Sequence, residues 1–471
     1  MIKTSLIYVF VLLISNLSHA SIIQTAQSGN WTDHKTWIGG IQPNQFDSVI
    51  VNTEDTLFIN SSFAQSYYLK NEGVVFFKSP TNFIKCVETN FVNGKIDGSS
   101  LGTLLTEKIT FSKNSILGKC NLKVSKSALI KDTLTLISKN GTKEFKNLTN
   151  YGKLLNSANE DLNLSGYLEN NGKISFKQGK IIFLKPTFLK GKLSVKTLKL
   201  SETLIVLDSL TILEEVIGKG EIVNKGVLQL GMMNSNFKID SLNLNHIGNE
   251  LHLIRNGQQT LPKISFEQAR KIVFSGGGLF ALENSLVVDS IEIKNNSSLE
   301  ISKKCTLASL LCLDHSTLMS RNDFYLKNIN ELFFSKTSTL KLNNNQHIDN
   351  SIQVGNLFIA PSISFELNKN DTLCIGGNNM GEGFISGNPT IEYNGNDRQT
   401  IKKTDYNTLI YNNSCTDSSI FYGNNTIKNL IVKRGKLKIG NLSIHTCKID
   451  SLGQLLIGGN TPKFRDTTKR Y

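Results

Sequence analysis

Six histidines lie beyond residue 20, at His34, His246, His252, His315, His347 and His445, and their spacing decides what chemistry they can do. None falls into an HExxH arrangement or a His and Cys spacing that holds a metal, so no metal site is expected. Asp314-His315 are neighbours, but adjacent residues of a strand point to opposite faces. Gly98-Ser99-Ser100-Leu101-Gly102 matches Gly-x-Ser-x-Gly. A nucleophile elbow also needs a helix after the serine, and no helical period follows it here. Ser275-Gly276-Gly277-Gly278 is the densest glycine cluster and lacks the spacing of a phosphate cradle, so it reads as a turn. The carboxylate pairs Glu160-Asp161 and Glu214-Glu215 read as solvated turn residues. A polysaccharide lyase or hydrolase would gather two or three carboxylates, or an Arg or Lys base, along one groove. Nothing in the sequence puts any two on one face. The expectation is a non-catalytic chain without a cofactor that acts as a scaffold, adhesin or glycan-contacting module, and the alternative is a polysaccharide-active lyase or hydrolase.

The elements that would carry any site are strands. Runs of four to six residues alternate apolar and polar side chains and close on Asn, Gly, Asp or Ser. Leu162-Asn163-Leu164, Lys173-Ile174-Ser175-Phe176, Leu228-Gln229-Leu230, Ile291-Glu292-Ile293, Leu299-Glu300-Ile301 and Leu437-Lys438-Ile439 are examples. Asn71-Glu72-Gly73, Asn150-Tyr151-Gly152, Asn170-Asn171-Gly172 and Asn224-Lys225-Gly226 each precede an apolar position. Because Asn and Gly tolerate positive φ, the triplet predicts a left-handed corner. The second and third triplets stand twenty residues apart. A longer block also recurs, Arg255-Asn256-Gly257-Gln258-Gln259-Thr260 against Asn394-Gly395-Asn396-Asp397-Arg398-Gln399-Thr400. Each copy is followed by an apolar strand (271–274 and 408–411) and then by Asn284 or Asn425, and Asn345-Gln346-His347 is a fainter echo. Such segments bury too little alone and must stack to share an interior. The expected fold is all-β, a right-handed parallel β-helix of roughly 20 to 25 residues per coil. Tandem antiparallel sandwiches compete, since Asn-Gly corners also serve hairpins.

Residues 1–20 read as a signal peptide: Lys3, an apolar run from Leu6 to Leu17, and Ser18-His19-Ala20 as the cleavage site. The run is shorter than the ~20 residues of a membrane span, and no later segment is long and apolar enough. A retained N-terminal anchor is the alternative. Beyond it the reading assigns an N-terminal cap at 21–60, a degenerate repeat region at 61–459 and a polar basic tail at 460–471. The seven cysteines include no CxxC pair and read mostly as small buried hydrophobes, although an oxidising compartment permits a bridge or two. The net charge of +14 comes from lysines scattered between apolar residues, as in 192–200, which is a solvated strand face and not a nucleic-acid stripe. A weak attraction to anionic glycans or lipids is the functional alternative.

The most specific segment runs from Ser28-Gly29-Asn30-Trp31 through Trp37, Gly39-Gly40, Pro43 and Asp47 to Val51, and holds both tryptophans of the chain. It resembles the opening of G8-type extracellular domains and of secreted surface proteins of Bacteroidetes-type bacteria, whose Asn-Gly…Gln-Thr repeats are also similar. The resemblance implies a secreted or cell-surface β-helix whose partners are extracellular polysaccharide or cell-envelope components. It also implies that Trp31, Trp37 and Asp47 belong to a cap or a glycan contact. Members often end in a C-terminal sorting domain, which 460–471 does not resemble. Physically, the tryptophans would cover the open end of a solenoid; sugar stacking on an exposed indole is the alternative.

Overall fold

The structure is a computed structural model describing residues 20–458 and 463–464, apart from 139, 177–178, 247, 261–267, 283–285, 303–304, 323, 327–328, 330 and 423. The proposed signal segment and Asn284 lie outside the described residues. The chain divides into two compact units, residues 1–226 with 236–242, and residues 227–235 with 243–471. Both are parallel β-solenoids. The described residues contain no α-helix, only short 3-10 turns such as His34–Thr36.

The first unit shows why the sequence stacks. Strands β1 (Ile22–Gln24), β2 (Gly29–Asn30), β3 (Ser48–Val51), β4 (Thr56–Ile59), β5 (Ala64–Asn71), β6 (Val74–Phe77) and β7 (Phe83–Phe91) open two parallel ladders. Odd-numbered strands pair with odd, and even with even. One inward column runs Val49, Leu69, Thr89, Ile109, Ala128, Leu148, Leu168, Leu189, so a coil takes 19 to 21 residues. Every member is buried. Side chains of successive coils thus stack on like side chains, and each fully buried Leu or Ile contributes about 1.5–3 kcal/mol. The alternation slips in the middle of the long strands: in β5, Tyr67 and Tyr68 both face outward between buried Ser66 and Leu69. That slip is a corner, and one bent strand supplies two faces. The second unit repeats the scheme with the column Leu253, Phe274, Ile293, Cys312 and Phe334.

The Asn-x-Gly triplets work differently from the expected left-handed corner. None of their residues has positive φ. Asn71, Asn150, Asn170 and Asn224 instead end strands with buried side chains. Asn71 Nδ2 donates to Lys95 O at 3.1 Å, Asn150 Nδ2 to Asn170 Oδ1 at 2.7 Å, and Asn170 Nδ2 to Lys192 O. The glycine is required by close approach, because a Cβ on Gly152 would stand 1.7 Å from Asp132 O and one on Gly172 2.1 Å from Gly152 O. Left-handed residues occur elsewhere, and Asp314 and His315 are two of them, at φ 50° and 61°. That pair therefore sits in a turn and not, as expected, on a strand.

The recurring Gln-Thr block also acquires a meaning. Gln399 is buried; its Nε2 donates to Ile375 O and Gly377 O, and its Oε1 accepts from Gly395 N–H at 3.1 Å. Gln259 Nε2 donates to Leu230 O, and Gln346 Nε2 to Phe324 O. Each glutamine uses its amide to tie its coil to a carbonyl of an earlier one, although Ile375 O, Leu230 O and Phe324 O also accept other bonds.

Candidate functional site

The segment between β2 and β3 leaves the ladder and folds over the first coil. Strand β1 pairs with β3 on one side. On its other side Ala26 N–H donates to Thr36 O at 2.8 Å, and Thr25 forms an antiparallel bridge with Trp37. Gly29 is forced here, since a Cβ would meet Thr36 Oγ1 at 2.2 Å. Gly39 and Gly40 take φ of 81° and 66° to reverse the chain. The rings of Trp31 and Trp37 meet edge to face, 5.4 Å apart, and Trp37 Nε1 donates to Trp31 O at 2.9 Å. They are 1% and 2% exposed, so neither offers a face to a sugar. The ladder itself already starts at Ile22, which confines the part of 21–60 outside it mostly to 31–47.

Asp47 organises the loop that follows. Its carboxylate is buried and accepts from Ser21 N–H at 2.9 Å and Asn44 N–H at 2.8 Å, while its carbonyl accepts from Tyr67 N–H at 2.9 Å. Phe46 N–H donates to Asn44 Oδ1, closing a tight turn. The loop forms one wall of an open groove of about 460 Å³, lined by Gln42, Pro43, Asn44, Gln45, Phe46, Phe63, Gln65 and Trp31. Phe46 is 46% and Phe63 61% exposed. Phe63 stacks on Phe83 of the next coil, rings parallel within 2° and 5.8 Å apart. Aromatic faces beside amides that both donate and accept suit a ligand with apolar faces and hydroxyl rims. Sequence reasoning missed Phe46, Phe63 and Phe83; the usable signal was that Phe63 and Phe83 stand one coil apart.

The second unit carries a charged groove of about 280 Å³ lined by Gly248, Asn249, Glu250, Arg270, Lys271 and Asp289. Lys271 Nζ lies 3.2 Å from Glu250 and 3.1 Å from Glu292, and Arg270 2.6 Å from Asp289. Burial pushes the Glu250 and Glu292 carboxyls up, but hydrogen bonds from His252, Lys271 and Lys294 outweigh it and hold both below the usual range. They stay ionised and are poor general acids. The carboxyl raised instead is Glu160, which desolvation pushes up to about 7. It was expected in solvent, yet it is buried against Lys143, out of any substrate's reach. Burial likewise pushes the Cys86 thiol up to about 11 and those of Cys120 and Cys312 to about 12, so none is a thiolate nucleophile. Ser99 lies in a bend with its hydroxyl directed to Phe77 O and Lys78 O. No three His, Cys, Asp or Glu of the described residues converge as metal ligands.

The site and its setting define the class, a parallel β-solenoid with an aromatic and amide groove near its first coil. Comparisons with protein-family models, curated proteins and solved structures found no match.

Proposed function

We propose that this is an exported, non-catalytic surface protein, a β-solenoid scaffold that contacts extracellular polysaccharide. The groove between the 42–46 loop and Phe63 is the observation that carries the reading. Exposed aromatic rings on a surface held rigid by coil-on-coil pairing pay little ordering cost when a sugar packs against them. Export rests on residues 1–20, and kinship with G8-like surface proteins on the Gly29 to Asp47 segment. The Trp31 and Trp37 layer serves as the cap of the first coil, supported by the antiparallel bridge at Thr25 and by the burial of both indoles.

The enzymatic alternative finds its best support in the Glu250, Lys271 and Glu292 cluster. One experiment separates the two: the chain from Ser21 onward is incubated with acidic and neutral polysaccharides, and both binding and chain cleavage are followed. Binding without cleavage is expected; cleavage that disappears with Lys271→Met would establish the enzyme. N-terminal sequencing of protein recovered outside the expressing cell should begin at Ser21.

A further inference from the structure

Resting on that reading, we infer that the groove selects uncharged polysaccharide, against the direction that the net charge of +14 suggests. The general positive field would draw anionic glycans to the surface at large. The groove itself is built otherwise. Its walls are Gln42, Asn44, Gln45, Gln65, Phe46 and Phe63, with no charged side chain among them. The acidic residue next to Phe46 in the loop, Asp47, is buried and outside the lining, and its two carboxylate oxygens are already bound by backbone N–H groups. A carboxylate or sulfate entering the groove would lose water and find no cation to replace it, whereas a hydroxyl finds amides that match it as donor and acceptor. The CH-rich face of a pyranose ring packs against Phe63, whose ring is held in plane by Phe83. The groove volume of about 460 Å³ lies within the ~300–1,000 Å³ typical of small-ligand sites. The lysine nearest by register is Lys85, paired with Gln65 on the next coil and outside the lining.

The test uses the full mature chain against neutral glucans, xylans and mannans and against pectate, alginate and chondroitin sulfate, at low and at high salt. Phe63→Ala, Phe46→Ala and Lys85→Gln are compared with the wild type, and circular dichroism verifies that each is folded. The expected result is binding to a neutral polymer that is indifferent to salt, since no ion pair is made. It is unchanged by Lys85→Gln and weakened roughly tenfold or more by Phe63→Ala, the loss of about 1.4 kcal/mol. Binding restricted to anionic polymers, weakened by salt and by Lys85→Gln yet still dependent on Phe63, would overturn the inference and leave the groove as the contact site. Binding indifferent to Phe63 and Phe46, or no binding at all, would overturn both.

Discussion

Lys143 and Glu160 form a salt bridge with both side chains fully out of water, inside an otherwise apolar column, and Lys143 Nζ also donates to Cys120 O at 2.7 Å. Glu160 Oε2 has no hydrogen-bond partner among the described residues. Two buried charges gain little over apolar residues of the same volume, but one left alone is costly. Lys143→Met should therefore destabilise by about 3–5 kcal/mol, and adding Glu160→Leu should recover much of that, read from denaturant midpoints. The pH dependence has a definite sign. Desolvation raises the Glu160 carboxyl from 4.5 to about 7, so between those values the folded chain holds the proton and the unfolded chain has lost it. The stability this group contributes is thus present below about pH 4.5 and is lost as pH rises to about 7. Glu160→Gln lacks this dependence, so its melting temperature should gain on the wild type across that window. Equal shifts at pH 4.5 and 7.5 would refute the assignment.

Coil-to-coil fit is decided at the element scale by two devices, the close-approach glycine and the buried amide. Gly152→Ala would drive a Cβ into Asp132 O and should cost at least about 3 kcal/mol. Gly39→Ala meets no atom within 4 Å and should cost only the left-handed backbone penalty, about 1–2 kcal/mol. Gln399→Leu removes the amide that pairs with the Gly377 carbonyl and the Gly395 N–H, while Ile375 O keeps its bond from Asn394 N–H, and should cost roughly 1–3 kcal/mol. Melting curves of the three variants, with Gly152→Ala lowest and Gly39→Ala closest to wild type, are the check. The strand alternation was legible in the sequence because one face of every strand is dry, as at Leu437 and Ile439. The role of the Asn-x-Gly triplets was not legible, because φ tolerance and close approach select the same residue and only the neighbouring coil tells them apart.

Across the molecule, each coil leans mainly on the next, so damage at an end should stay near that end. Trp31→Ala removes the ring that backs Trp37 over the first coil. Hydrogen exchange should accelerate in β1 to β4, while the column from Ile109 to Leu189 keeps its protection. Uniform acceleration throughout would mean that the tryptophan layer is not a local cap.

The sequence by itself determined the strand character and the inward positions, since these follow from local alternation and from the need of short strands to stack, whereas its expectation of roughly 20 to 25 residues per coil exceeds the 19 to 21 of the Val49 to Leu189 column. It also marked the Gly29 to Asp47 segment as special, through residue types rare elsewhere in the chain. Only the tertiary structure decided that Trp31 and Trp37 face inward while Phe46 and Phe63 face solvent, and that Glu160 is buried with Lys143. Those outcomes depend on which residues of different coils are superposed. An insertion of one residue in a loop changes that register without changing any local pattern.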